Sequence, residues 1–193
     1  MKFRSAKKYI INRLKKELPK NLSYHSVEHV KDVFKASKEI ASIEDVKGEE
    51  LKLLLTAALF HDSGFLISQK DHEATSCEIA REHLPGFNYS DEQIERICGM
   101  IMATKIPQTP KNHLEEIICD ADLDYLGRKD FFDIGNKLFS ELSIYGIINT
   151  EDEWNQLQVR FLENHHYFTQ TSLSFRKPQK DKHLEIIKEK LNH

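Results

Sequence analysis

Glycine and proline are scarce, seven and five in 193 residues, which excludes turn-dense sandwiches and barrels and leaves the abundant Leu, Ile, Lys and Glu to favour helices. Cysteine is scarcer still. Cys77, Cys98 and Cys119 are odd in number and form no C-x-x-C pair, so neither a disulfide framework nor a thiolate zinc site is indicated; they read as buried thiols of a reducing cytoplasm. Long apolar runs are missing as well: Leu53 to Phe60, broken only by Thr56, falls far short of the ~20 residues of a bilayer span. Nor is there an excess of basic charge. With 28 Lys+Arg against 31 Asp+Glu the net charge is −3, and nothing broadly attracts a phosphate backbone. The opening stretch MKFRSAKKYIINRLKK is basic but lacks the continuous apolar core and cleavage site of a secretory signal. Its Ile10, Ile11, Leu14 and Leu18 recur at helical spacing and predict an amphipathic helix packed on the domain.

What is present is helix after helix. Ser26 opens a pattern through Val27, Val30, Val33, Phe34 and Ile40 that predicts a helix to about Ser42. LKLLLTAALFHD is apolar on nearly all sides, the pattern of a central helix, with Gly64 as its stop. Further helices are expected from Asp71 to Leu84, from Ser90 with its Gln93 capping partner to Pro107, and from Asn112 to Gly127. The same reasoning expects helices over 129–143, 150–165 and 180–191, with no alternating run suited to a sheet. The expected architecture is an all-α, single-domain helical bundle over 1–193.

Three places interrupt this apolar order with chemistry. His61 and Asp62 follow directly on LLLTAALF, where burial of an imidazole and a carboxylate requires compensation. His25 and His29 in YHSVEH lie four residues apart and share one helical face. ICDADLDYLG then places Asp120, Asp122 and Asp124 in a later apolar helix. Histidine nitrogens with carboxylate oxygens suit Mn, Fe, Co, Ni or Zn, and two carboxylates cancel the charge of a divalent ion.

In this order, His, then His-Asp, then Asp on a helical bundle, the sequence resembles the HD-domain superfamily of metal-dependent phosphohydrolases over about residues 20–130. The resemblance implies metal ligation by His29, His61, Asp62 and Asp122. Asp122 is preferred to Asp120 because the family's last ligand follows an Ala. Asp62 is implied in catalysis too, and His25 falls where a phosphodiesterase branch keeps a general acid for the leaving oxygen. One divalent ion (Mn, Fe, Ni, Co, Zn or Mg) per chain is expected, with His72 as an outer ligand or phosphate contact. His83 and His113 are expected in surface or capping roles. The implied activity is cleavage of a phosphomonoester or phosphodiester in a small molecule, foremost a nucleotide, by metal-activated water. The Glu-Asp element of alarmone hydrolases is not evident. A non-catalytic sensor or interaction module and a di-iron oxygenase are the alternatives, the second needing more histidines than can be placed.

Beyond the core, 131–193 is expected as a helical extension. Its segment 161–180 gathers His165, His166, Tyr167, Thr169, Arg176 and Lys180, which suit either a solvated stretch or a cover over the metal. Lys105 and Arg128 read as helix-end cations or phosphate contacts. No nucleic acid, no membrane and no particular oligomer is indicated, and a cytoplasmic location is expected.

Overall fold

The computed structural model describes residues 1–191 as ten α-helices joined by short turns, with no strand among them. The helices are α1 (Phe3–Glu17), α2 (Val27–Ile43), α3 (Gly48–Phe60), α4 (His72–His83) and α5 (Asp91–Ala103). They are followed by α6 (His113–Asp122), α7 (Phe131–Ile144), α8 (Glu151–Asn164), α9 (Gln170–Phe175) and α10 (Lys177–Leu191). Among the described residues no helix is long and apolar enough to cross a membrane.

The all-apolar run does what its composition dictates. Every residue from Leu53 to Phe60 of α3 is buried, surrounded by α1, α2, α5 and α6, so that a helix without a polar face becomes the axis of the bundle. Buried Ala6, Ile10 and Leu14 of α1 close one side of this core. Starts are set by caps: Ser26, Ser90, Asn112, Thr150 and Thr169 each accept a backbone N–H from the first turn, and Ser90/Gln93 and Thr150/Glu153 complete capping boxes.

A second apolar layer is built on the far side of α6. Leu123, Tyr125, Leu126, Phe131, Leu162, Tyr167 and Ile187 form its core, with α10 laid along α8. Polar clamps fasten the two layers. Arg176 Nε donates to Asp124 at 2.6 Å and the Thr171 amide to Glu44 at 3.0 Å, while within the second layer the buried Lys180 ammonium ties α10 to the Leu162 carbonyl of α8 at 3.0 Å. Gly127 meets this layer at such short range that a Cβ there would stand 2.3 Å from the Arg176 carbonyl oxygen.

Two differences from the sequence expectation have local causes. The helix α3 ends at Phe60 rather than running to Gly64, and a one-turn 3₁₀ helix, Ser63–Leu66, carries the chain away. The 161–180 segment contains α9, which has no apolar periodicity to announce it; Thr169 caps it, accepting the Ser172 amide, and α10 starts at Lys177 with Pro178 in its first turn.

His165 sits where α8 meets the segment leading to α9, its ring stacked on Phe161 and edge-on to Tyr167, and neither ring nitrogen has a protein hydrogen-bond partner. Burial first, and the Lys180 ammonium second, bring its pKa down to about 3. Between that value and its unfolded pKa of about 6.5, the unfolded chain takes up a proton that the native chain refuses, so stability is lost as pH falls. His165→Phe should therefore be more stable than the parent at pH 5 by about 1–2 kcal/mol relative to the difference at pH 7.5, as read from urea midpoints. Equal pH slopes for the two proteins would contradict this.

Candidate metal centre

Three helix ends meet beside the axis. His29 lies in the first turn of α2, His61 and Asp62 leave the C-terminal end of α3, and Asp122 is the last residue of α6. The ends of α3 and α6 both present the negative pole of the helix dipole, and both carry a carboxylate there, an arrangement that disfavours itself unless a cation is supplied.

The His-Asp turn is held from behind. Ser76 Oγ donates to the His61 carbonyl at 2.6 Å and accepts the Gly64 amide at 2.7 Å. At Gly64 a Cβ would lie 2.0 Å from the His72 carbonyl oxygen, so only glycine lets the turn press against α4. This close approach, more than a helix stop, explains that residue. His61 Nδ1 donates to the Ala58 carbonyl at 2.9 Å, which fixes the ring and turns Nε2 to the inner side.

His29 Nε2 lies 3.1 Å from Asp122 Oδ1, 3.3 Å from His61 Nε2 and 3.4 Å from Asp62 Oδ2. His61 Nε2 lies 3.2 Å from Asp62 Oδ2 and 3.4 Å from Asp122 Oδ1. Ligands at about 2.1 Å from an ion are separated by about 3.0 Å in octahedral and about 3.4 Å in tetrahedral coordination. The observed edges span that interval. Asp62 Oδ2 is buried without a hydrogen bond although two imidazole nitrogens face it, the sign of lone pairs converging rather than donors meeting acceptors. His29, His61 and Asp122 by themselves already form a ligand-like group, and the donor set fits a borderline divalent ion.

The electrostatics agree. Burial works against protonation of His61, but the Asp62 and Asp122 carboxylates outweigh it and hold the imidazole well above its ordinary pKa. Burial likewise works against ionised carboxylates, yet His61 holds Asp62 well below the usual range, and His29 and His61 bring Asp122 down to about 2. Two fixed negative charges thus draw positive charge into a largely desolvated site.

His25 stands at the edge of this centre. Its Nδ1 pairs with Glu141 of α7, and the same carboxylate accepts the Tyr24 and His25 amides at 2.8 and 3.1 Å. Burial pushes the Glu141 carboxyl up, but the bond from His25 prevails and holds it below its ordinary value. Phe65 lies between the rings of His25 (stacked, 4.2 Å) and His72 (tilted, 4.3 Å). His72 Nε2 reaches Asp62 Oδ1 at 3.4 Å, on the side of Asp62 away from His29 and His61, and this contact raises its pKa against the opposing effect of burial. Neither Glu141 nor Phe65 was evident beforehand. A signal existed for Glu141: it falls on the Ile134–Leu138 stripe of α7, where a charge requires a partner.

Other candidates are placed elsewhere. Asp120 is fully buried and faces the extension, accepting the Phe168 and Thr169 amides at 2.9 and 2.8 Å and the Thr169 hydroxyl at 2.7 Å. His83 pairs with Arg13 and His113 with Glu116. Arg128 is taken up by Asp32 and Asp130, and Lys105 reaches Asp71 at 2.8 Å. In 161–180, Tyr167, Thr169 and Arg176 clamp the extension to the core and Lys180 ties α10 to the end of α8 within it, rather than gathering at the centre. Asp122→Asn is expected to lose bound metal while keeping its far-ultraviolet spectrum. Asp120→Asn should keep the metal and lose about 1–3 kcal/mol of stability, since buried amides lose an acceptor; elemental analysis and urea titration separate the two, and the opposite pattern would exchange their roles.

A cavity of about 450 Å³ opens from His25, His29, Asp62, His72 and Asp122 toward α7 and α8. Comparison with known proteins places this geometry in a family. The HD-domain pattern matches residues 26–124, just over half of the chain, and contains His29, His61, Asp62 and Asp122. An uncharacterized protein of Clostridium beijerinckii is 30% identical over 93 residues, 46% of this chain and 59% of that relative, so the match leaves a large part of the relative uncovered. The crystal structure of a predicted HD superfamily hydrolase from an uncultured Thermotogales bacterium shares the fold, with a TM-score of 0.64 at 20% identity over 96% of this chain and 91% of that one. The chain belongs to the HD-domain family.

Proposed function

We propose that this chain is a metal-dependent phosphohydrolase that uses water to cleave a phosphoester bond in a small molecule. The observation that carries the reading is the cluster of His29, His61 and Asp122, mutually 3.1–3.4 Å apart, with Asp62 Oδ2 at 3.2–3.4 Å from both imidazoles, four groups from three helix ends. These residues would hold the ion, and Asp62, touching both inner imidazoles and His72, would also set the orientation of whatever binds beside it. A divalent ion there supplies a Lewis acid for a phosphoryl oxygen and hydroxide at neutral pH.

The remaining steps belong to the protein. Attack on phosphorus forms one P–O bond from water and breaks the P–O bond to the organic part, and the departing oxygen takes a proton. His25, at the cavity edge with Nδ1 held by Glu141, has its other nitrogen available to deliver that proton. His72, packed on Phe65 beside Asp62, is placed to touch a phosphoryl oxygen or to steady the carboxylate. The completeness of the ligand set supports an enzyme over a sensor module that has kept only the fold. The nucleotide reading comes from the family resemblance, and the ion's identity is open among the borderline divalent metals.

Asp62→Ala should fail to retain metal and lose hydrolysis together; full rate and full metal content in that variant would remove Asp62 from the ligand set. His25→Gln should lower kcat about 10²–10⁴-fold on alkyl phosphates, whose leaving oxygen needs a proton. On nitrophenyl phosphate, whose leaving group departs as the anion, the loss should be much smaller. Glu141→Gln should follow the same pattern at about tenfold, with metal content retained. Equal losses on both esters would assign His25 to binding instead.

A further inference from the structure

The cavity that begins at the metal centre does not stay polar. Past Tyr125 it runs between α7 and α8, where Leu138, Leu142, Leu157 and Phe161 expose part of their side chains to the empty space and Phe131 and Trp154 form the floor. These leucines are not surplus surface. They line the α7–α8 side of a cavity whose whole volume, metal centre included, is about 450 Å³, within the usual range for small-molecule sites.

The lining between α7 and α8 lacks what a nucleoside requires; Gln69, Asp71, Glu73 and Thr104 lie on the other side of the metal centre, toward Lys105. In this deeper part the polar side chain is Gln158, whose amide reaches toward Asn155 at 3.4 Å, together with the indole of Trp154. A base and ribose would carry several donors and acceptors into walls of leucine and phenylalanine and leave them unpaired, at a cost that a hydrocarbon does not incur. Charge points the same way. Lys105 is the cationic Lys or Arg side chain on the cavity wall among the described residues, and it lies at the mouth bound to Asp71 at 2.8 Å. That is too little for a chain of phosphates beyond the one at the metal.

Resting on the phosphohydrolase reading above, we infer that the substrate is an amphipathic monophosphate ester: one phosphoryl group at His29, His61, Asp62 and Asp122, and an apolar chain or ring in the chamber between α7 and α8. The leaving alcohol, or the second ester group of a diester, occupies the chamber while His25 sits at the junction of its polar and apolar ends. Burial of the organic part contributes affinity in proportion to its length, about three- to fourfold per added methylene until the chamber is full.

Trp154 is the protein's one tryptophan and lines the chamber, so its fluorescence reports occupancy separately from catalysis. The test uses the metal-loaded full chain. Hydrolysis is measured on alkyl phosphates from methyl to octyl, on naphthyl phosphate and on nucleoside monophosphates, and Trp154 emission is titrated with octylphosphonate, which cannot be hydrolysed. The expected result is kcat/KM climbing with chain length, octyl and naphthyl esters ahead of every nucleotide, and a saturable change in Trp154 emission. Leu142→Glu, which places a charge on the chamber wall at a half-buried position, should lower the octyl-to-methyl ratio of kcat/KM at least tenfold. Hydrolysis of nucleotides with a flat alkyl series and unmoved emission would overturn this inference and leave the phosphohydrolase reading intact. Saturable octylphosphonate binding with no ester cleaved would overturn that reading and support an apolar ligand in the chamber.

Discussion

Two carboxylates buried at the negative ends of two helices are the constraint around which this molecule is organised. Asp62 and Asp122 cannot sit there unaided: desolvation and the helix dipoles both oppose their charge. His29 and His61 face them at 3.1–3.4 Å, and the same geometry suits a divalent ion. The apolar helix α3 makes this possible by burying eight consecutive residues, Leu53 to Phe60, so that the His-Asp turn emerges at a rigid place in the centre of the bundle.

Precision at the centre comes from groups that never face the cavity. Ser76 bonds both the His61 carbonyl and the Gly64 amide, the missing Cβ of Gly64 lets the turn lie against α4, and the Ala58 carbonyl fixes the His61 ring. A turn supported at three points has little freedom to open, and the ligand atoms inherit that rigidity.

The extension has two duties in this arrangement. It closes the second apolar layer over α6 through Asp120, Asp124 and Glu44, each accepting bonds from the segment 168–176. Through Glu141 of α7 it also reaches back to hold His25 at the first layer, and through α7 and α8 it walls the chamber. The candidate ligands therefore come from the family core, while the apolar wall of the space beside them comes from the extension. Chains sharing that core can differ in what they admit.

Helix order, most helix limits and the central position of α3 were legible in the residues themselves, because periodicity, caps and a charge next to an apolar run are local signals, whereas the four ligand candidates were singled out by the family resemblance. Asp122 and Asp120 show where that stops: two carboxylates two residues apart on one helix differ in role only by what comes to face them, Asp120 meeting the amides of residues 168 and 169 and Asp122 meeting two imidazoles. The same holds for the cations of 161–180, which composition allows near a phosphate and packing commits to clamping, and for Glu141, whose partner is 116 positions away. Local pattern governs which element a residue joins; the close packing of distant elements governs which atoms touch, and only the folded chain specifies that.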